Sequence, residues 1–466
     1  MEVTSLRFRE NARRALRDPQ LARALRMVRE GFQQRRAQAV ANLPEFEELR
    51  RIGAGIRDHV LERLDLYLEA FERRAREAGA QIHYALDGAE ARRIVLDLLR
   101  SRGVSLVTKS KSMVAEEIEL AEAIEAEGIR RVETDLGEYI IQLAHEPPSH
   151  LIGPAVHMTV ERIARLFAEA HGTEPTTDAQ ELVAQARRVL RQKYLDAEAG
   201  ITGANFLVAE TGSVITVTNE GNAELTQGLP PLHIVVTSIE KLVPTMEDAF
   251  TLLRLLARSG TGQEFATYTT VLTGPRREGD LDGPEEMHIV LVDNGRSRML
   301  GSPVRPMLRC IRCSACMNHC PVYLAVGGHA YGWTYVGPMG SVLTPALAGI
   351  EQTWPLPEAS TFCGRCEEVC PVRIPLPGLM RVWREEAFRR GLPPATQRAG
   401  IRLWAFLAKR PRLYRLAFGL AVRTLGLLGR RRGRFSRLPL ASGWTSVRDL
   451  PAPQGRTFLE QLGRGR

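Results

Sequence analysis

Cys310-x2-Cys313-x2-Cys316-x3-Cys320-Pro321 has the spacing of a bacterial ferredoxin loop, which wraps thiolates around an iron–sulfur cube. A shorter run, Cys363-x2-Cys366-x3-Cys370-Pro371, follows it. All seven cysteines of the chain lie in these two runs, so none remains for a disulfide or a stray thiol. Three cysteines two residues apart cover one face of a cluster. The proline after the last cysteine stops the chain from continuing as a regular helix. In two-cluster proteins that last cysteine ligates the other cluster. The spacing therefore assigns Cys310, Cys313, Cys316 and Cys370 to one [4Fe-4S] cluster and Cys320, Cys363 and Cys366 to a second. Such groups move single electrons.

The second cluster is one thiolate short. Ser360 stands where an eighth cysteine would be. Three arrangements compete: a four-iron cluster with an oxygen ligand or open corner, a three-iron cluster, or a ligand from elsewhere. The first is preferred. Zinc fits less well, because structural zinc takes four ligands and seven cysteines divide badly into fours. A disulfide framework does not suit a long chain without a secretory signal.

Other residues invite chemistry more weakly. Lys109, Ser110 and Lys111 follow an apolar strand, at the end that faces ligands in parallel sheets. Two lysines beside hydroxyls suit a carboxylate or phosphate, and Glu210-Thr211-Gly212 with Asn219-Glu220-Gly221-Asn222 would complete such a pocket. Ordinary turn composition is the competing explanation. His145, Glu146, His150 and His157 lack a helical metal-binding spacing, and two prolines interrupt them. No G-x-G-x-x-G follows an expected strand and no G-x4-G-K-[ST] occurs, so no nicotinamide, flavin or nucleotide signature is present.

These residues need a scaffold. Residues 1–80 carry apolar positions at helical spacing and read as a helical N-terminal region. Residues 81–303 alternate short apolar strands with helices, at Ile82–Ala85, Leu106–Thr108 and Val132–Thr134, with Ser112 expected to cap a helix running to Gly128. Asn205–Val217 reads as a hairpin turning near Thr211-Gly212. Further strands are expected at His233–Val236, Thr269–Leu272 and His288–Val292. The expectation is an α/β domain with a mostly parallel sheet. Residues 304–395 would form an α-helical ferredoxin-like domain.

The chain has 466 residues and a net charge of +9. Residues 401–466 hold 15 Arg or Lys against Asp449 and Glu460 alone, so the rest is slightly acidic. That distribution argues against a uniformly basic nucleic-acid binder. Residues 396–466 read as a basic tail, helical to about 435 and loosely ordered from 433. Its apolar and arginine mixture suits an anionic membrane surface, an acidic partner, or the protein's own body. With no apolar N-terminal core and no long apolar span, the expected place is the cytoplasm, or the inner face of the membrane as a peripheral protein.

Several stretches together resemble the lactate utilization protein B family: Thr108–Met113, Glu133–Leu143, Glu146–His150, Glu210–Ser213, His329–Gly332 and Val372–Pro377. The likeness spans roughly residues 1–400. It implies a LUD domain joined to a two-cluster ferredoxin-type domain, in an iron–sulfur subunit that oxidises L-lactate to pyruvate beside two partner proteins. The family's second cysteine run also has serine at the place of Ser360. Electron transfer through the two clusters is the leading expectation. A catalytic LUD domain, with Lys109 and Lys111 on the lactate carboxylate, is the alternative. A redox-sensing protein that binds partners is a third.

Overall fold

Ten strands precede the cysteine motifs: β1 (Gln81–Ala85), β2 (Leu106–Lys109), β3 (Arg130–Glu133), β4 (Ala199–Thr202), β5 (Phe206–Val208), β6 (Ser213–Thr218), β7 (Leu232–Ser238), β8 (Leu242–Val243), β9 (Tyr268–Leu272) and β10 (Glu286–Val292). The computed structural model describes residues 3–438, 445 and 448–462. Six strands form one sheet in the order β1-β10-β7-β4-β2-β3, and every neighbouring pair is parallel. Strands β2, β4 and β7 are buried along their whole length, as expected where helices cover both faces. Strand β4 carries no apolar run in the sequence. Its Gly200 is required by packing, since a Cβ there would lie 1.8 Å from the carbonyl oxygen of Thr226.

Side-chain caps start the covering helices. Asp87, Ser112, Asp135 and Thr245 each accept the backbone N–H three residues on. The helix expected from Ser112 to Gly128 is broken into Met113–Glu117 and Leu120–Ala126, because Glu119 takes a left-handed φ of 55°. The break leaves Glu117 in a buried ion pair with Arg296 while Leu120 and Ile124 join the core under β2.

The remaining four strands make a second sheet in the order β8-β5-β6-β9. Strands β5 and β6 form the expected hairpin. Gly212 turns it with φ of 70°, and a Cβ there would meet the backbone nitrogen of Ala75 at 2.3 Å.

Residues Met1–Ala387 cluster as one compact unit and Phe388–Arg466 as another. The expected boundaries at 80 and 303 thus fall inside the first unit. Helices Pro19–Ala41 and Phe46–Glu62 share one apolar core with Met246–Gly260 and with the cysteine region, through Leu25, Phe46, Leu252, Leu255, Tyr323 and Met380. The second unit holds helices Ala395–Ala408 and Pro411–Gly429 and a short antiparallel ladder pairing Arg434–Phe435 with Leu450–Pro451. The expectation of loose order beyond 433 falls partly outside the described residues; the described part includes that ladder and helix Phe458–Leu462. Among the described residues no helix is long and apolar enough to cross a membrane.

Candidate iron–sulfur centre and adjoining cavity

The two cysteine runs fold alike. Arg312 (φ 61°) and Ser314 (φ 62°) flank Cys313 in left-handed conformations, and Phe362 (φ 53°) and Gly364 (φ 81°) flank Cys363 in the same way. One-turn helices follow, Ala315–Asn318 and Arg365–Glu368. After each Cys-Pro step a backbone N–H points back at sulfur: Tyr323 N lies 3.5 Å from Cys320 Sγ, and Ile374 N lies 3.3 Å from Cys370 Sγ. The second run differs at Ser360, whose Oγ accepts the N–H of Phe362 at 3.1 Å.

The chain crossing sorts the thiols into two cavities. Cys310, Cys313, Cys316 and Cys370 line one, walled by Leu151, Met339 and Ile374. Cys320, Cys363 and Cys366 line the other with Ser360. All seven thiols are free of disulfides. Burial pushes the Cys370 thiol up to about 11, and burial with the neighbouring Cys320 pushes Cys366 up to about 12. Cys313 and Cys316 are driven higher still by burial and by their neighbouring sulfurs. Thiolates in such surroundings need cations. This all-sulfur donor set fits iron, which would hold the sulfurs deprotonated.

Three arginines strap the loops from the N-terminal helices, a role the sequence reading missed. Arg50 donates to the carbonyl of Cys370 at 2.8 Å and of Glu368 at 2.8 Å, and Arg36 donates to that of Val369 at 3.2 Å. Arg57, 1% exposed, donates to the carbonyls of Leu242 and Leu308 at 2.6 and 3.1 Å. Nothing in the local sequence marks them; amphipathic helices commonly carry arginine.

A buried chain of charges links the first loop to the parallel sheet. Glu117 pairs with Arg296 at 2.6 Å, Arg296 with Glu240 at 2.9 Å, and Glu240 with Arg312 at 3.2 Å. Tyr335 donates to Glu117 at 2.5 Å and offers its ring face to Arg312, whose guanidinium carbon lies 4.9 Å from the ring centre. Burial opposes ionisation of Glu240, but Arg296 and Arg312 outweigh it and hold the carboxyl at about 2.

At the C-terminal ends of β2, β4 and β7 lies a third cavity of about 260 Å³, walled by Lys111, Asp135, Glu220, Thr237, Lys241 and Arg312 among others. Lys111 is there, with Nζ donating to the carbonyl of Ile152 at 2.9 Å. Lys109 does not line this cavity. It is fully buried, and its Nζ lies 2.9 Å from both Glu116 and Glu133. Residues two apart on a strand share a face, but β2 ends at Lys109 and Lys111 lies in the loop beyond it, so the two lysines meet different surroundings. Glu210 is also absent from the cavity wall. It is exposed and accepts the N–H of Met246 at 3.1 Å, at the start of a helix. Asn219, Glu220 and Asn222 do reach the cavity. The histidines do not converge: His157 bonds Glu146 at 2.8 Å, while His150 bonds Asn318 at 2.9 Å.

Family models match three parts of the chain: a LUD domain over residues 68–292, a 4Fe-4S dicluster domain over 306–374, and the C-terminal region of lactate utilisation protein B over 390–464. Lactate utilization protein B from Anoxybacillus flavithermus is 41% identical over 465 residues, covering 99% of this chain and 98% of that protein. The protein of the same name from Geobacillus sp. strain WCH70 is 42% identical, covering 99% and 97%. That from Bacillus subtilis strain 168 is 40% identical, covering 99% and 96%. On full-length similarity and on this α/β plus dicluster architecture, the chain belongs to the lactate utilization protein B family.

Proposed function

We propose that this chain is the iron–sulfur electron-transfer subunit of a lactate-oxidising system, holding two [4Fe-4S] clusters and working beside two other lactate-utilization proteins. The observation that carries the reading is the sorting of seven thiols into two neighbouring cavities. Bound clusters supply reversible one-electron transfer. The protein's part is to hold the sulfurs, keep water away and set the local charge. Cys310, Cys313, Cys316 and Cys370 would hold one cluster. Cys320, Cys363 and Cys366 would hold the second, with its fourth corner beside Ser360. The N–H groups of Tyr323 and Ile374 aim at sulfur and favour added negative charge. Arg312 and the buried arginine straps act in the same direction.

The C-terminal helices expose Leu403, Trp404, Phe406, Leu416, Leu420, Leu427 and Leu428 among arginines. That mixture supports contact with an acidic partner or an anionic membrane surface, from the cytoplasmic side. Anaerobic iron and sulfide analysis tests the central claim. About eight iron atoms per chain are expected from two four-iron clusters. A reproducible value near half of that would sink it.

A further inference from the structure

The cavity beyond β2, β4 and β7 is lined by basic and acidic side chains, and two of the basic ones already have a partner: Lys111 lies 3.9 Å from Glu138 and Arg312 3.2 Å from Glu240. Lys111, Lys241 and Arg312 face Asp135 and Glu220. Lys241 is 8% exposed, has no hydrogen-bond partner among the described residues, and is lowered to about 7 by burial and by the neighbouring Arg312, so it donates as an amine or an ammonium. The Arg312 side chain is 10% exposed; one of its terminal nitrogens bonds Glu240 and the other, Nη1, is buried without a partner. Thr237 Oγ1 on the same wall is likewise buried and unpartnered. An unmade bond to a buried donor is costly, so a group of them on one cavity points to a ligand that completes them.

The sheet order fixes the polarity of the site. Lys241 follows β7, Lys111 follows β2, and Asp135 follows the edge strand β3. Lys241 therefore sits toward the sheet centre and Asp135 at its edge, where Glu220 accepts the N–H of Leu136, with Lys111 between them. Burial and the neighbouring Asp135 raise the Glu220 carboxyl to about 7, so it retains a proton for part of the time at neutral pH. A dianion would meet two acids on the wall. A single carboxylate, whose two oxygens can accept from Arg312, Thr237 and Lys241, matches the unpartnered donors better. The volume, about 260 Å³, lies just under the ~300–1,000 Å³ of drug-sized pockets and suits a small acid.

We propose that this cavity binds a small monocarboxylate, with Lys241, Arg312 and Thr237 donating to the carboxylate and the acidic edge facing its remaining polar group. Arg312 and Leu151 line both this cavity and the one formed by Cys310, Cys313, Cys316 and Cys370. One guanidinium thus faces ligand and thiolates together. A bound anion offsets its field and disfavours an added electron next door. By linkage, reduction weakens binding. Only this redox consequence rests on the electron-transfer reading.

Calorimetry on anaerobically prepared full-length protein of measured iron content tests the site, with pyruvate, L-lactate, inorganic phosphate and neutral lactamide as probes. Pyruvate or L-lactate should bind saturably at one site per chain, with phosphate and lactamide about ten-fold weaker or worse. Lys241→Met should weaken carboxylate binding about ten-fold or more while Lys241→Arg largely restores it, both with unchanged iron. Phosphate binding as well as the carboxylates, or carboxylate binding unaltered by Lys241→Met, would overturn the proposal. Should Lys241→Met lose iron, Thr237→Val carries the same comparison. Dithionite-reduced protein should bind the carboxylate about five-fold more weakly or worse. Equal affinity in both redox states would refute the link through Arg312. A low iron count would defeat the two-cluster reading and leave the binding result standing.

Discussion

Glu240→Gln should destabilise the protein by about 3 kcal/mol, on two separate estimates. Glu240 is 1% exposed and lies 2.9 Å from Arg296 and 3.2 Å from Arg312. Removing one partner of a buried pair leaves uncompensated charge, at a cost of about 3–5 kcal/mol. Independently, the carboxyl is held at about 2 against an ordinary value of 4.5. At about 1.4 kcal/mol per unit that depression is worth about 3 kcal/mol. The stabilisation is present at neutral pH and is lost as pH falls from the unfolded value through the folded one. Anaerobic urea unfolding, followed by far-ultraviolet circular dichroism and by loss of iron–sulfur absorbance, measures the change. A midpoint drop of about 1 M is expected for a slope near ~3 kcal/mol per molar. Asp58→Asn is the control. Asp58 pairs with Arg309 at 2.6 Å, but the two side chains are 37% and 20% exposed, so screening limits the loss to about 1 kcal/mol. Equal effects of the two substitutions would refute the buried-charge argument. The Glu240 carboxylate also matters to the thiols beside Arg312. Without it, the first cluster should be easier to reduce in a potentiometric titration.

Two further outcomes separate packing from titration. Gly200→Ala drives a methyl into the Thr226 carbonyl and should cost about 3 kcal/mol, seen as lost soluble yield. Gly55→Ala meets nothing within 4 Å inside a helix and should stabilise by about 0.5–1 kcal/mol, so equal behaviour of the two would contradict the fold. His150 is lowered to about 4 by burial, and its Nδ1 accepts the N–H groups of Ile152 and Gly153 at 3.1 and 3.0 Å. Its folded value lies below the unfolded one, so stability is complete above about 6.5 and drains away as pH falls toward 4. Wild type should therefore lose about 2 kcal/mol more between pH 8 and pH 5 than His150→Gln, and parallel denaturation curves would show that His150 does not titrate this way.

The elements that the sequence announced were those with local causes. Apolar runs marked β1, β2, β7 and β10, and the Gly212 turn marked the β5–β6 hairpin. Strand β4 was silent because Ala199-Gly200-Ile201-Thr202 owes its place to what packs on it. The grouping of the thiols into two cavities was legible because the spacing of a loop that encloses a cavity is written in sequence separation. The charge chain Glu117–Arg296–Glu240–Arg312 was not, since its members come from four distant segments. Lys109 and Lys111 looked equivalent on paper. Only the point where β2 ends, at Lys109, tells a buried structural ammonium from a cavity wall.

The arginine straps have a consequence for biosynthesis. Arg36 reaches Val369 across 333 positions of chain, and Arg50 reaches Cys370 across 320. Both helices leave the ribosome long before the loops they must clasp. Non-local closure of this kind is slow, because ordering entropy is spent before the contact rewards it. The thiol cavities are therefore among the last parts of the nascent protein to close. A cluster that needs the Cys370 thiol would therefore be completed only on a chain whose synthesis is nearly finished.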